Sequence, residues 1–223
     1  MKVFSLPAKT KALIFDMDLT LYTNPEYGQY QIDILVERLG GLKGLSFDEM
    51  NSEVEKVRKE WKLSHNGKEM SLTKILMDYG ISMEEVIAWR NELFEPGRFI
   101  KEDKLLKETL DKLSELFILG IVTNNPVLVA RKTLALLGVD ESFPVIVGLD
   151  TCMTAKPNKK PFEKFIDLAN CPGEICVSIG DRFDIDIGVP LEMGMGGILV
   201  DGVEDVYRLP ELLKGCNPDR KLL

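Results

Sequence analysis

Apolar residues fall into two textures along this chain. "KALIF", Lys11 to Phe15, is a short continuous apolar run that stops at two aspartates. From about Glu26 to Phe94 the spacing becomes helical, and Ile32, Leu35, Val36 and Leu39 recur at three- and four-residue steps on one helix face. "SFDE" at Ser46 and "SMEE" at Ser82 are capping boxes that open helical runs. Gly40-Gly41, Gly67 and Gly80 punctuate the runs, so this stretch predicts a bundle of about four helices. "EPGR", Glu95 to Arg98, breaks the pattern and reads as a linker.

Beyond the linker, strands and helices alternate. Leu105–Leu116 is amphipathic. "FILGIVT" from Phe117, "FPVIVG" from Phe143, "ICVSIG" from Ile175 and "GGILV" from Gly196 read as buried strands. One helix is predicted with Asn125 as N-cap, Pro126 at its first position and Gly138 past its end. Others are predicted over Pro161–Leu168 and around Ile187–Met193. Short apolar strands separated by helices imply a parallel sheet covered on both faces. The expected fold class is α/β: a Rossmann-like parallel core, residues 1–22 and 97–223, with a small all-helical cap, residues 23–96, inserted after the first strand. Ligands of such sheets lie beyond the carboxyl ends of the strands.

Those strand ends carry chemistry. The first ends in Asp16-Met17-Asp18, the second in Thr123-Asn124-Asn125, and a later one in Gly180-Asp181-Arg182, with Asp184 and Asp186 just beyond. A loop after the Phe143 strand holds Lys156, with Lys159 and Lys160 as alternatives. Two carboxylates ~4 Å apart repel by ~1 kcal/mol in water and by more in a drier site. A hard divalent cation relieves that repulsion. Oxygen ligands without His or Cys nearby favour Mg²⁺, which also accepts a substrate phosphate.

Composition narrows the field. The 223 residues carry a formal net charge of -8, so a nucleic-acid surface is not expected. No stretch approaches the ~20 apolar residues of a membrane span, and the N-terminus makes a poor signal peptide, which leads to the expectation of a cytoplasmic protein. Cys152, Cys171, Cys176 and Cys216 form no C-x-x-C pair and are expected to be buried or partly buried thiols. His65, the single histidine, stands near Trp61, Lys62 and Asn66. This group could face a substrate, though the simpler expectation is a packed Trp61 and a surface His65. Met50, Met70, Met77 and Met83 read as core filler.

The order of these groups resembles the haloacid dehalogenase-like superfamily, in its phosphatase branch with a helical cap. D-x-D-x-T matches Asp16, Asp18 and Thr20. A Thr closing an apolar strand matches Thr123, a Lys matches Lys156, and G-D followed by a further acid matches Gly180, Asp181 and, by spacing, Asp186 better than Asp184. The resemblance implies Asp16 as nucleophile and Asp18 as general acid and then base. It implies Mg²⁺ held by Asp16, Asp181 and the backbone carbonyl of Asp18, with Asp186 ordering the ion's hydration. Thr123 and Asn124 would bind the phosphate, and Lys156 would neutralise charge. Asp18 argues for phosphate esters over carbon–halogen bonds. The implied partner is a small phosphorylated substrate, with no nucleic acid and no membrane. A sugar phosphomutase, a pyrimidine 5'-nucleotidase (from the Leu-Tyr after Thr20) and a phospho-receiver or binding domain remain as alternatives. Leu19, where Gly is common, and Arg182, where a small residue is frequent, depart from the pattern. Asp186 could also serve as a helix N-cap.

Overall fold

Ala12, Leu13, Ile14 and Phe15 are all buried, as a strand packed on both faces requires. Removing the side chains of Leu13, Ile14 and Phe15 from water contributes about 1.5–3 kcal/mol each. In the computed structural model, which describes residues 1–65, 67 and 70–216, this run is strand β2 (Ala12–Phe15). The chain divides into two compact units, Met1–Asn24 with the chain from Pro96 onward, and Pro25–Glu95.

The first unit is built on a six-stranded sheet of order β1-β6-β5-β2-β3-β4. Its strands are β1 (Lys2–Ser5), β2, β3 (Ile118–Val122), β4 (Val145–Val147), β5 (Cys176–Gly180) and β6 (Gly196–Leu199). The four apolar runs after the linker thus form β3 to β6, parallel to β2. The sheet is mixed rather than wholly parallel, because β1 adds an antiparallel edge on β6, Lys2 opposite Leu199. β1 has only four residues and none of them is buried, so it carries no apolar run to announce it. Helices α5 (Lys104–Ser114), α6 (Val127–Leu137), α7 (Leu149–Cys152), α8 (Lys160–Ala169), α9 (Gly188–Glu192), α10 (Val203–Val206) and α11 (Leu209–Leu212) complete the unit.

Register decides what the sheet brings together. Phe15 lies beside Ile121 of β3 on one side and Ile179 of β5 on the other. The residue after β2, Asp16, donates its N–H to Ile179 O at 2.8 Å. Asp16, Thr123 and Asp181 therefore leave neighbouring strands at one edge. The chain runs from β2 outward to β3 and β4, then returns to fill β5 and β6 on the other side, so this edge is also where strand order reverses.

The second unit packs helices α1 (Pro25–Lys43), α2 (Phe47–Ser64), α3 (Leu72–Asp78) and α4 (Met83–Leu93). Leu35, Val36, Leu39, Met50, Val54, Ile75, Leu76 and Val86 are among its buried apolar positions. Both capping boxes are present, Ser46 with Glu49 and Ser82 with Glu85. Trp61 is half-buried and stacks on the exposed ring of His65, centroids 3.5 Å apart. Asn66 lies outside the described residues. Met50 and Met70 are buried and Met83 partly so, but Met77, expected in the core, is exposed. It follows Ile75 and Leu76, which take the inward positions of a helix of seven residues. Among the described residues no helix is long and apolar enough to cross a membrane. All four cysteines are free thiols, buried or partly buried.

Candidate active site

Lys156 is 2% exposed, a rare condition for a lysine outside an ion pair. Its Nζ lies 2.7 Å from Asp16 Oδ1 and 2.7 Å from Asp186 Oδ1. Burial works to discharge the ammonium, but the two carboxylates outweigh it and hold the group above its ordinary range. Lys159 and Lys160 are exposed, so of the three lysines in this loop the site takes Lys156. The Asn124 side chain seats it: Asn124 Oδ1 accepts the Lys156 N–H at 2.7 Å, and Asn124 Nδ2 donates to the Lys156 carbonyl at 3.2 Å. The Lys156–Pro157 bond is cis.

Asp186 lies in the turn before α9, where neighbouring constraints hold it firmly. A Cβ on Gly180 would come within 2.4 Å of the Asp186 Cβ, so only glycine at the end of β5 lets this side chain pack there. Asp186 Oδ2 accepts the Arg182 N–H at 3.1 Å, and the Ser178 hydroxyl donates to the Asp186 carbonyl at 2.7 Å. Its carboxylate faces Lys156 and does not cap α9, while Asp184 is exposed. One oxygen from each of Asp16, Asp181 and Asp186 lies within 4.8 Å of the others. Burial, and after it the charge of Asp16, push the Asp181 carboxyl up to about 7. Arg182 is half-exposed, its Nε 3.7 Å from Asp181 Oδ1.

Residues 10–194 match the haloacid dehalogenase-like hydrolase family. The chain belongs to that family. Within it, pyrophosphatase PpaX from Listeria welshimeri is 33% identical over 102 residues, 45% of each chain. Phosphoglycolate phosphatase from Colwellia psychrerythraea is 37% identical over 65 residues, 29% of each chain. The matches span about half or less of these two relatives' lengths. The HAD phosphatase from Thermococcus onnurineus superposes with a TM-score of 0.62 at 20% identity, covering 92% of this chain and 99% of that one. At that identity the likeness establishes the shared fold.

Two further strand-end residues complete the geometry. Thr123 is buried at the end of β3, and its Oγ1 accepts the Asn125 N–H at 3.2 Å. Asp18 stands two residues beyond Asp16, its Oδ2 accepting from Asn125 Nδ2 at 2.8 Å and its Oδ1 from the Tyr22 hydroxyl. Neither donor carries a sequence motif that ties it to Asp18. Asn125 was expected to cap α6, but Pro126 holds the N-cap position and Asp150 Oδ1 accepts the Val127 N–H at 2.9 Å. For Tyr22 the available signal was its place four residues after Asp18, which one helical turn would bring alongside.

Proposed function

We propose that this chain is a Mg²⁺-dependent phosphatase that hydrolyses esters of small phosphorylated metabolites through an aspartyl phosphate on Asp16. The observation that carries this reading is the single buried ammonium of Lys156 among three acids at the carboxyl edge of the sheet. Asp16, Asp18, Asp181 and Asp186 outnumber the two neighbouring cations, Lys156 and Arg182, and leave excess negative charge in a place that an anionic substrate would have to enter.

A hard divalent cation fits the donor set. Asp16 Oδ2 and Asp181 Oδ1 are buried without a hydrogen-bond partner, and every nearby donor atom to a metal is oxygen. Asp16, Asp181 and the Asp18 carbonyl would hold Mg²⁺, which would offset the carboxylates and the phosphate charge. Lys156 fixes Asp16 through Oδ1 and shares in neutralising the phosphoryl group. The Thr123 hydroxyl and the backbone N–H of Asn124 bind phosphate oxygens. The Asp16 carboxylate attacks phosphorus, and the bond from phosphorus to the ester oxygen breaks as Asp18 delivers a proton to that oxygen. Water then adds to the phosphorus of the acyl phosphate and gives its proton to Asp18, releasing phosphate and regenerating both acids.

Phosphate release from a panel of sugar phosphates, nucleotides, phosphoglycolate, pyrophosphate and an aryl phosphate, with Mg²⁺ and with chelator, tests this reading. Turnover that needs the metal is expected. Chelator-insensitive turnover, or none on any compound, would count against it. Isomerisation of a sugar phosphate without phosphate release would move the reading to a mutase.

A further inference from the structure

Asp18 is gripped at both oxygens, one bond coming from its own loop and the other from β3's exit. The Tyr22 bond follows from a local backbone turn. Leu19 takes a left-handed conformation, φ 58°, which costs a residue other than glycine about 1 kcal/mol or more. The chain then closes one turn, with the Leu21 N–H on the Met17 carbonyl at 2.9 Å and the Thr20 N–H on the same oxygen at 3.3 Å. That turn lays residue 22 over residue 18, and their backbones form an isolated parallel bridge. The Tyr22 ring is 6% exposed, so its hydroxyl is delivered from a fixed position.

The Asn125 bond comes from a backbone that is itself held. Its N–H donates to Thr123 Oγ1 and its carbonyl accepts the Leu149 N–H at 2.9 Å. The ordinary task of an asparagine before a helix, capping the first amides, is done here by Asp150. The Asn125 amide is turned to Asp18 instead, and the residue is 2% exposed.

A carboxyl at the end of a strand has two side-chain torsions to settle. Donors on opposite oxygens, one from each side, fix its plane. We propose that Tyr22 and Asn125 are positioning residues that set the Asp18 carboxyl in line with the leaving-group oxygen. This inference rests on the phosphatase reading above and adds to it two residues that act through Asp18.

Proton delivery matters most when the leaving group is a weak acid, which gives the test. Wild type, Tyr22→Phe and Asn125→Ala are assayed on aryl phosphates running from p-nitrophenyl phosphate to unsubstituted phenyl phosphate, and on an alkyl phosphate. The readout is kcat/KM, which covers the steps through ester cleavage. The variants should lose ~10- to 100-fold on the alkyl ester, a fraction of what general acid catalysis supplies, and less than ~3-fold on p-nitrophenyl phosphate. Their dependence on leaving-group acidity should steepen accordingly. Equal losses across the series, or no loss at any ester, would overturn the positioning role while leaving the phosphatase reading intact. A wild type inactive on every ester would remove both. Tyr22→Phe deletes one oxygen from a packed ring and carries the test if Asn125→Ala does not fold, as thermal unfolding would report.

Discussion

Lys156 and Asp16 are 140 residues apart in sequence and 2.7 Å apart at Nζ and Oδ1. With Asp186 on its other side, the ammonium ties the loop before α8 to the ends of β2 and β5. Removing it would leave two buried carboxylates uncompensated. Lys156→Met should cost about 3–5 kcal/mol of stability. Chemical denaturation of the purified protein reports the loss, and a variant as stable as wild type would mean that the pair is solvated.

Asp16→Asn separates stability from activity. It takes one negative charge from a cluster that has too many, so the metal-free protein should unfold at the same temperature as wild type or higher. Phosphate release should fall to background. Asp18→Asn should instead retain some phosphoryl transfer to Asp16 from an activated aryl phosphate and accumulate the acyl phosphate, visible by intact mass. Full activity in either variant would reassign the roles.

The pH dependence of the metal-free protein follows from Asp181. Its folded-state value of about 7 lies above the ordinary 3.8, so the folded protein binds this proton more tightly than the unfolded chain. The associated stability is complete below 3.8 and is lost as pH rises through about 7. In chelator, the unfolding temperature should therefore decline between pH ~4 and ~7, and Asp181→Asn should flatten that decline. Added Mg²⁺ should raise the unfolding temperature more at pH 8 than at pH 5, because protons compete for its ligands. Equal stabilisation by Mg²⁺ at both pH values would argue against a carboxylate site.

Gly180→Ala probes the close approach of β5 to Asp186. The new methyl would sit 2.4 Å from the Asp186 Cβ, and the carboxylate would have to move off Lys156. A cost of about 1–3 kcal/mol is expected, with weakened Mg²⁺ binding by calorimetry. A neutral result on both readouts would show that Asp186 tolerates displacement.

Ser82→Ala supplies a contrast in the helical unit. The Ser82 hydroxyl accepts the Glu85 N–H at 3.2 Å, and the Glu85 carboxylate accepts the Ser82 N–H at 2.9 Å. Losing this cap should cost about 1 kcal/mol. A fall in unfolding temperature with an unchanged rate constant for hydrolysis is the expected pair of results.

Elements with strong local signals were legible in advance. The apolar runs at Ala12, Ile118, Val145, Cys176 and Gly196 are strands, and both capping boxes cap helices. β1 was not legible, because an exposed four-residue edge strand is made by the hydrogen bonds that β6 offers it rather than by its own side chains. The helix expected from Ile187 begins at Gly188, after a wider turn over Phe183–Ile187 that carries Asp186 inward. Asn125 departs from the capping role its position suggests for a related reason. Whether it caps the helix depends on Asp150, which lies in the first turn of α7.

The linear order of residues alone settled the alternation of strands and helices and put Asp16, Thr123 and Asp181 at strand ends. Periodicity, caps and turn residues act over a few positions, and parallel strands of similar length must finish at the same edge. Which lysine enters the site, where Asn125 points and which oxygens of Asp18 are held were decided only by folding. Those choices depend on side-chain directions set by loop backbones, and on partners from other loops that nothing in a local stretch of sequence identifies.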